Sequence, residues 1–520
     1  MSLLLFGSGA CALIYQTVWL RQFRLIFGAS TAASAAVLAI FMGGLGFGGI
    51  YIGKRVDRAA NPLAIYGFLE VGVAIFAGLT PLLFWIVRHL YLATGGSFVL
   101  GQFVATIIRL LLSVAVLAIP TMLMGGTLPA ASRAVEHSGD AGRLGVSVLY
   151  AFNTLGAVTG AIFSTFYLLE TFGNLKALIA AALLNAMIGL AAIAYSNRFT
   201  AEPEAASRSA VVAAVVPPRL VYAAAAVVGF AFFLMEIVWY RTLAPLLGGT
   251  TYTFGLILAV ALAGIGSGSF VYALVRSARA TVGAFATLCA IEAITMAIPF
   301  ALGDRLASLA LLLRPLGAFG FSGFVLGWLI VTMVAIFLPA FIAGAQFPLL
   351  ISLLGEGRED VGRDVGTTYL WNTVGAIAGA IVGGFVIMVI PGLARVTAAL
   401  KTPIAGGEYV WGIAPFRHMI EARSVDIVMI DLARVGGITP WMKVAAMAEA
   451  FNLPVVSHIM PEIHAHLVAA CPNGLTVEYM PWMLRLFEET PRLEKGALVL
   501  PDGPGLGLRF DEKAIAAFRA

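Results

Sequence analysis

Long apolar stretches separated by short polar segments occupy the first three quarters of the chain. Each stretch has about 20 residues with few charges, enough for a helix to cross a hydrocarbon layer about 30 Å thick. The pattern predicts a polytopic α-helical membrane protein. We count eleven such stretches, at residues 4–26, 32–53, 63–87, 98–124, 146–170, 175–195, 220–246, 252–275, 281–302, 321–346 and 366–391.

Motifs of the first half return in the second half at an offset of about 220 residues. Trp19 and Arg21 thereby match Trp239 and Arg241. Six spans per repeat, an even number, predict two parallel repeats related by an axis along the membrane normal. The predicted units are repeat 1 at 1–195, a polar linker at 196–219 and a truncated repeat 2 at 220–395. The matching segments are LIYQTVWLRQFRLIFG with FLMEIVWYRTLAPLLG, IPTMLMGGTLP with LPAFIAGAQFP, and YAFNTLGAVTGAIF with YLWNTVGAIAGAIV.

Three carboxylates, Glu70, Glu236 and Glu292, lie inside apolar stretches. Such groups are costly in lipid and usually face a partner or a cavity. A structural pairing, for example with Arg109 or Arg241, and a substrate pathway both remain open as explanations. The glycine pairs at 156 and 160 and at 375 and 379 predict close helix packing, because small residues four apart let helices approach.

The repeated W-x-R segments, the MGGTLP and NTLGAVTGA motifs and the double six-span layout resemble the membrane region of bacterial spermidine synthase-like proteins, over residues 7–392. The resemblance implies a multi-pass protein of the bacterial inner membrane. In that family an aminopropyltransferase module usually follows, with a glycine-rich nucleotide loop. This sequence has no such loop after the membrane region, so we do not expect aminopropyltransferase activity.

Composition supports the same division of the chain. Hydrophobic residues make up 60% of the sequence and charged residues 11%, and the mean hydropathy is +0.96, which excludes an ordinary soluble protein. Residues 1–400 carry 21 Lys and Arg against 14 Asp and Glu, whereas residues 401–520 carry 11 against 13. We expect a lipid bilayer, and no nucleic acid, as the partner of the chain.

Residues 400–520 alternate short apolar runs with helical patterns. The runs end near Glu408, Asp431, His458 and Glu478, and a helical pattern follows each of the first three. The order βαβαβαβ predicts a parallel sheet with right-handed crossovers. Because the carboxyl ends of barrel strands share one rim, we expect the four polar side chains to converge there.

The segments GGEYVWG, DLARVGGITPWMKVAAMAEAFNLPVVSH, EIHAHLVAACPN and PDGPGLGL resemble the carboxyl-terminal part of the mandelate racemase group of the enolase superfamily. The resemblance implies an α/β half of a TIM-type (β/α)8 barrel at residues 400–520. It implies Glu408 as a Mg²⁺ ligand, His458 as a general base supported by Asp431, and Glu478 as an acid that hydrogen-bonds a substrate carboxylate. The implied chemistry is Mg²⁺-assisted α-proton abstraction from a carboxylate, leading to racemisation or dehydration.

The family's other metal carboxylates, its lysine base and its earlier strands have no counterpart here, so we expect weak Mg²⁺ binding and an incomplete isomerase or lyase site. Four barrel strands leave two open edges, which favour a homo-oligomer. The alternative function is a transporter-like or scaffold membrane protein with an inactive tail. His464 and His466 match no family role and are predicted to be surface or packing residues.

The side of the membrane on which the tail lies follows from the loop charges. With the amino terminus inside, the inner loops carry 12 Lys and Arg and the outer loops about 8, a modest bias. Eleven spans would then place the half-barrel outside. Because the sixth span of the second repeat breaks off at residues 393–402, a fusion of two unrelated gene fragments remains a second interpretation.

Overall fold

The computed structural model describes residues 1–27, 31–136, 143–196, 216–248, 250–275, 280–355, 360–383, 394, 397–398 and 401–518. The chain divides into two compact units, Met1–Gly384 and Phe385–Ala520. Most of the predicted linker at 196–219 and half of the predicted junction at 393–402 lie outside the described residues.

The first unit is built of helices. Polar side chains cap the amino-terminal ends of two of these helices. The Asn61 side chain accepts a hydrogen bond from the Ala64 amide, and the Thr281 side chain accepts one from the Ala284 amide, both at 3.1 Å. These caps satisfy amides that a helix leaves without a partner in its first turn. The helices are α1 (Ser2–Phe27), α2 (Thr31–Val56), α3 (Pro62–Ala93), α4 (Gly96–Val135), α5 (Leu144–Phe163), α6 (Leu169–Thr171), α7 (Gly173–Ser196), α8 (Pro218–Leu247), α9 (Thr251–Leu274), α10 (Val282–Leu302), α11 (Asp304–Leu313), α12 (Phe321–Thr332), α13 (Leu338–Leu354) and α14 (Val361–Ile381).

Nine helical segments in the described ranges are long and apolar enough to cross a membrane. They coincide with nine of the eleven predicted stretches. The stretch predicted at 32–53 lies within α2, and the one predicted at 366–391 begins in α14 and continues beyond the described residues. Length and composition therefore agree with the predicted spans, and the crossing of a bilayer stays a prediction.

Glycines at matching positions of the two halves pack matching helix pairs. Helix α1 packs on α5, where a side chain at Gly156 would overlap the carbonyl oxygen of Phe6. Helix α8 packs on α14, where a side chain at Gly375 would overlap the carbonyl oxygen of Ala226. The two contacts are separated by about 220 residues in sequence, the offset of the repeated motifs. Close packing at both predicted glycine patterns follows from the missing Cβ.

The second unit contains a four-stranded parallel sheet of order β1-β2-β3-β4 and a separate two-stranded antiparallel hairpin. The strands are β1 (Ala405–Gly406), β2 (Ile427–Asp431), β3 (Val455–His458), β4 (Gly474–Thr476), β5 (Arg492–Glu494) and β6 (Ala497–Val499). The helices are α15 (Ile413–Glu421), α16 (Leu432–Val435), α17 (Ile438–Ala450), α18 (Pro461–Ala469) and α19 (Glu512–Phe518).

The register of this sheet aligns its carboxyl ends. Asp431 at the end of β2 pairs with His458 at the end of β3. Glu408 and Glu478 lie two residues beyond the ends of β1 and β4, so these two strands are shorter than the apolar runs predicted. The parallel direction and the strand order agree with the prediction. An open sheet of four strands leaves the half-barrel itself a prediction.

Helix α17 is fixed to β2 beside the site by Trp441. Its side chain is fully buried, and its indole Nε1 donates a hydrogen bond of 3.3 Å to the carbonyl oxygen of Ile430. Burial of so large an aromatic surface, with its one polar atom satisfied, favours a single packing arrangement. A side chain of α17 therefore fixes the backbone of Ile430, the residue before Asp431.

Candidate active site

Asp431 is the most enclosed member of the site, with 3% of its side chain exposed. It ends β2 and caps α16: its Oδ1 accepts a hydrogen bond of 2.7 Å from the backbone amide of Arg434. Its Oδ2 accepts one of 2.8 Å from Nδ1 of His458 and one of 3.2 Å from the Arg434 guanidinium. Burial acts to raise the pKa of Asp431, but these donors outweigh it and leave the pKa lowered. Asp431 is therefore a carboxylate at neutral pH.

The ring of His458 lies between two carboxylates. Because a carboxylate only accepts hydrogen bonds, the 2.8 Å contact with Asp431 requires the hydrogen on Nδ1. The other nitrogen, Nε2, lies 3.3 Å from Oε2 of Glu408. Nε2 can take a proton from another molecule only after this contact opens, because an incoming C–H bond needs the same position.

Arg434 was missed by the sequence reasoning. Its guanidinium donates a hydrogen bond of 3.0 Å to the carbonyl oxygen of Glu408, and it lies 4.6 Å from the centre of the Tyr409 ring. It thus joins the loop after β1 to the carboxylate at the end of β2. The available signal was a cation three residues after a strand-end Asp, the spacing that one helical turn brings together.

Glu478 is hydrogen-bonded to the residues on both sides of His458. Its Oε2 accepts a hydrogen bond of 2.7 Å from the amide of Ile459, and its own amide donates one of 2.8 Å to the Ser457 hydroxyl. The structure thus brings Glu408, Asp431 and His458 into direct contact and attaches Glu478 to the segment that carries His458.

His464 supports the turn that follows His458. It is fully buried, and its Nδ1 lies 2.8 Å from the carbonyl oxygen of Ile459 and 3.3 Å from that of Met460. Ile459 and Met460 have φ of 48° and 47°, a left-handed conformation that is strained for a β-branched residue. Burial lowers the pKa of His464, so the neutral ring packs here, in agreement with one of the two predicted roles.

The residues that the structure describes do not form a Mg²⁺ site on their own. Mg²⁺ prefers octahedral oxygen coordination with more than one anionic ligand where the protein provides the site. Among the residues that the structure describes, no group of three or more His, Cys, Asp or Glu side chains is arranged to hold a metal ion. Glu408 offers one carboxylate, which faces His458, and Asp431 is already bonded to Arg434.

The site thus combines an ionised aspartate and a histidine at paired strand ends with a second carboxylate in the loop after β1. α/β barrels carry their catalytic groups at the carboxyl ends of their strands. Residues 388–514 match the family described as enolase C-terminal domain-like. The carboxyl-terminal region therefore carries an enolase C-terminal domain, and the predicted resemblance to that superfamily is confirmed for this region.

Two curated relatives act on acid sugars by name. The L-talarate/galactarate dehydratase of Salmonella typhimurium is 36% identical over 125 residues, which cover 24% of this chain and 31% of the enzyme. The D-xylonate dehydratase of Haloferax volcanii is 37% identical over 131 residues, which cover 24% of this chain and 32% of the enzyme. The chain thus spans about a third of the length of these relatives.

A solved structure of L-talarate dehydratase from a Polaromonas species, complexed with Mg and L-glucarate, is also similar. It is 38% identical, with a TM-score of 0.24, and the match covers 25% of this chain and 36% of that one. These matches concern the carboxyl-terminal region. For the helical unit, the resemblance to spermidine synthase-like proteins stays a prediction.

Proposed function

We propose that the second unit is a membrane-anchored portion of an enolase-superfamily enzyme whose ancestral chemistry is α-proton abstraction from a carboxylate, of the racemase or acid-sugar dehydratase type. The observation that carries the proposal is the partly buried hydrogen bond between Asp431 and His458 at paired strand ends, within a region similar to acid-sugar dehydratases. The substrate class is a small carboxylate such as a sugar acid.

In this proposal His458 accepts the α-proton at Nε2. Asp431 keeps the hydrogen on Nδ1 and stabilises the positive ring that forms after proton transfer, the role that a buried carboxylate has beside a catalytic histidine. Glu408 moves away from Nε2 when the substrate binds. Glu478 holds the backbone next to His458 through the Ile459 amide.

The site is incomplete on its own. Abstraction of a proton next to a carboxylate requires that the resulting enediolate be stabilised by positive charge or strong hydrogen bonds. Glu408 supplies one carboxylate toward Mg²⁺, which supports the expectation of weak metal binding by this chain. This chain spans about a third of the length of the dehydratases that it matches.

We place the chain in a bacterial inner membrane as a multi-pass protein with two parallel repeats, the second truncated. The nine long apolar helices and the matching glycine contacts support this arrangement. In the described part of the chain β1 and β4 have a strand partner on one side only, and an edge strand can pair with a second copy through its unpaired backbone groups.

The test is hydrogen exchange at the α-carbon. The full chain is purified in detergent and incubated in D₂O with Mg²⁺ and a panel of sugar acids and 2-hydroxy acids, and loss of the α-proton signal is followed by NMR. We expect slow exchange with one acid that disappears in His458→Asn and persists in His418→Asn, since His418 is exposed on α15. A folded chain without any exchange would reject autonomous catalysis.

The second candidate is a transporter-like or scaffold membrane protein whose tail is inactive. Buried glutamates hydrogen-bonded to side-chain amides within the helical unit favour it. For this candidate we expect His458→Asn to leave the transport or scaffold function unchanged. The intact mass of the protein from its source cells also separates a continuous chain of 54.6 kDa from the products of two unrelated gene fragments.

A further inference from the structure

The helical unit contains a buried glutamate that a neighbouring helix holds by an amide. Glu70 on α3 is 1% exposed. Asn185 on α7 donates its Nδ2 at 2.8 Å to Oε2 of Glu70 and at 2.7 Å to the Glu70 carbonyl oxygen. The other carboxyl oxygen, Oε1, is buried without a hydrogen bond in the described part of the helices, although the hydroxyls of Ser8 and Tyr66 lie nearby.

A second glutamate has the same kind of surroundings. Glu292 on α10 is 7% exposed, and Gln346 on α13 is fully buried. Gln346 donates its Nε2 at 2.6 Å to Oε2 of Glu292. Oε1 of Glu292 is again buried with no hydrogen bond to any described residue.

The two glutamates occupy comparable positions in the chain. Each lies in the third apolar span of its half, and their separation is about 220 residues, close to the offset of the repeated motifs. The amide donors come from different spans, α7 in one half and α13 in the other. The shared feature is thus the chemistry, one carboxyl group bonded by one primary amide of another helix.

The groups around the glutamates supply no positive charge in the described ranges. Cys11 and Tyr15 on α1 lie close enough to Glu70 to interact with it electrostatically, as does Tyr66 on its own helix. Cys289 has the same relation to Glu292. Thiol and phenol groups are neutral at pH 7. At Glu70 and Glu292, side-chain amides take the place of the arginine partner considered from the sequence.

A side-chain amide can hydrogen-bond a carboxyl group in both of its protonation states. Its N–H donates to a carboxyl oxygen whether the group is ionised or protonated, whereas an arginine would hold the ionised form. An ionised carboxylate whose partners are all neutral is far more costly to bury than the neutral acid. The surroundings therefore accept the neutral acid and still offer a bond to the anion.

We propose that Glu70 and Glu292 are two exchangeable proton-binding sites, one in each half of the helical unit. The ligand is the proton, and the activity that such sites serve is proton-coupled movement of a solute or of protons through the helical unit. The proposal is independent of the chemistry proposed for the second unit and does not use His458.

Reaction with dicyclohexylcarbodiimide tests the proposal on the full chain in detergent. The O–H of a protonated carboxyl group adds to one C=N bond of the reagent to give an O-acylisourea, which rearranges to a stable N-acylurea without a leaving group. Peptide mass spectrometry then locates the added mass. We expect tagging of Glu70 and Glu292 at neutral pH, falling about tenfold per pH unit once the groups ionise. The exposed Glu170 is the matched control and should stay untagged.

Variants and a titration separate proton exchange from a purely structural hydrogen bond. Glu70→Gln and Glu292→Gln should each remove the tag at that position and about one proton from the uptake measured between about pH 9 and pH 5. If a variant does not fold, the pH dependence of tagging in the wild-type chain tests the proposal. Three results would overturn the proposal. They are no tagging at either glutamate, tagging that does not change with pH, and protection from tagging when sodium replaces choline at constant pH.

Discussion

Substitution of Asp431 by Asn changes the charge of the group that orients His458 and preserves its shape. The carboxylate accepts hydrogen bonds from the Arg434 amide at 2.7 Å, from His458 Nδ1 at 2.8 Å and from the Arg434 guanidinium at 3.2 Å. All three partners are donors. An asparagine has one acceptor oxygen and one NH₂ donor, so in either orientation its NH₂ faces a donor.

The magnitude follows from the bonds that are lost. A hydrogen bond to a charged group contributes about 1.5–3 kcal/mol, and a buried donor left without a partner adds a penalty. Asp431 is 3% exposed, so water does not replace the lost partner. We therefore expect the sheet around β2 and β3 to lose about 2 kcal/mol of local stability.

Amide hydrogen exchange of the full chain in detergent measures this loss where it occurs. In peptides that cover β2 and β3, the expected loss of about 2 kcal/mol corresponds to about thirtyfold faster exchange. The matched control is Asp426→Asn. Asp426 precedes the same strand and accepts a single hydrogen bond of 2.8 Å from the Ile404 amide, which an asparagine oxygen can also accept.

The pH dependence has a definite sign. The pKa of Asp431 is lowered in the folded protein, so its stabilisation is fully present above the pKa of an unfolded aspartate, about 3.9. It is lost as the pH falls through the lower folded value. The difference between wild type and Asp431→Asn should thus be largest at neutral pH and shrink below about pH 4. Equal exchange in the two Asn variants, or a difference that persists unchanged to about pH 2, would refute the reasoning.

Three further predictions concern other contacts. In Arg434→Ala, hydrogen exchange in the loop after β1 should accelerate, with Arg434→Lys recovering part of the protection, because the guanidinium reaches the Glu408 carbonyl and the Tyr409 ring together. Calorimetry should find a Kd for Mg²⁺ of about 10⁻³ M or weaker, and a micromolar value would contradict the single-carboxylate site. Gly156→Ala should lower the stability of the helical unit in detergent by about 1–3 kcal/mol through overlap with the Phe6 carbonyl. Gly78→Ala should have little effect, because its nearest new contact is at 3.8 Å.

The order of strands and helices in the second unit could be predicted because it depends on local patterns. Apolar runs such as IVMID and VVSH form β2 and β3, and parallel strands bring their carboxyl ends to one edge. The meeting of Asp431 and His458 follows from those two facts. Arg434 could not be placed in the same way, because its side chain reaches back across a turn to a loop 26 residues earlier.

The hydrogen-bond partners of the buried glutamates in the helical unit could not be predicted for a different reason. Glu70 and its donor Asn185 are 115 residues apart, and uniformly apolar helices carry little information about which faces meet. Hydropathy therefore gave the position of the buried carboxylate along α3, while the amide on α7 depends on how the helices pack.

The two carboxylates beside His458 differ in how firmly they are held. Asp431 is 3% exposed and has three donors, whereas the Glu408 side chain is 36% exposed and touches the site through one contact of 3.3 Å. Arg434 holds Glu408 by its backbone carbonyl, which leaves the carboxylate free to rotate. A substrate or cation can thus displace Glu408 without disturbing the contact between Asp431 and His458. Under the proposed chemistry the contact between Asp431 and His458 is preorganised and the carboxylate of Glu408 is not, so the missing requirement is positive charge beside the substrate rather than a rebuilt histidine.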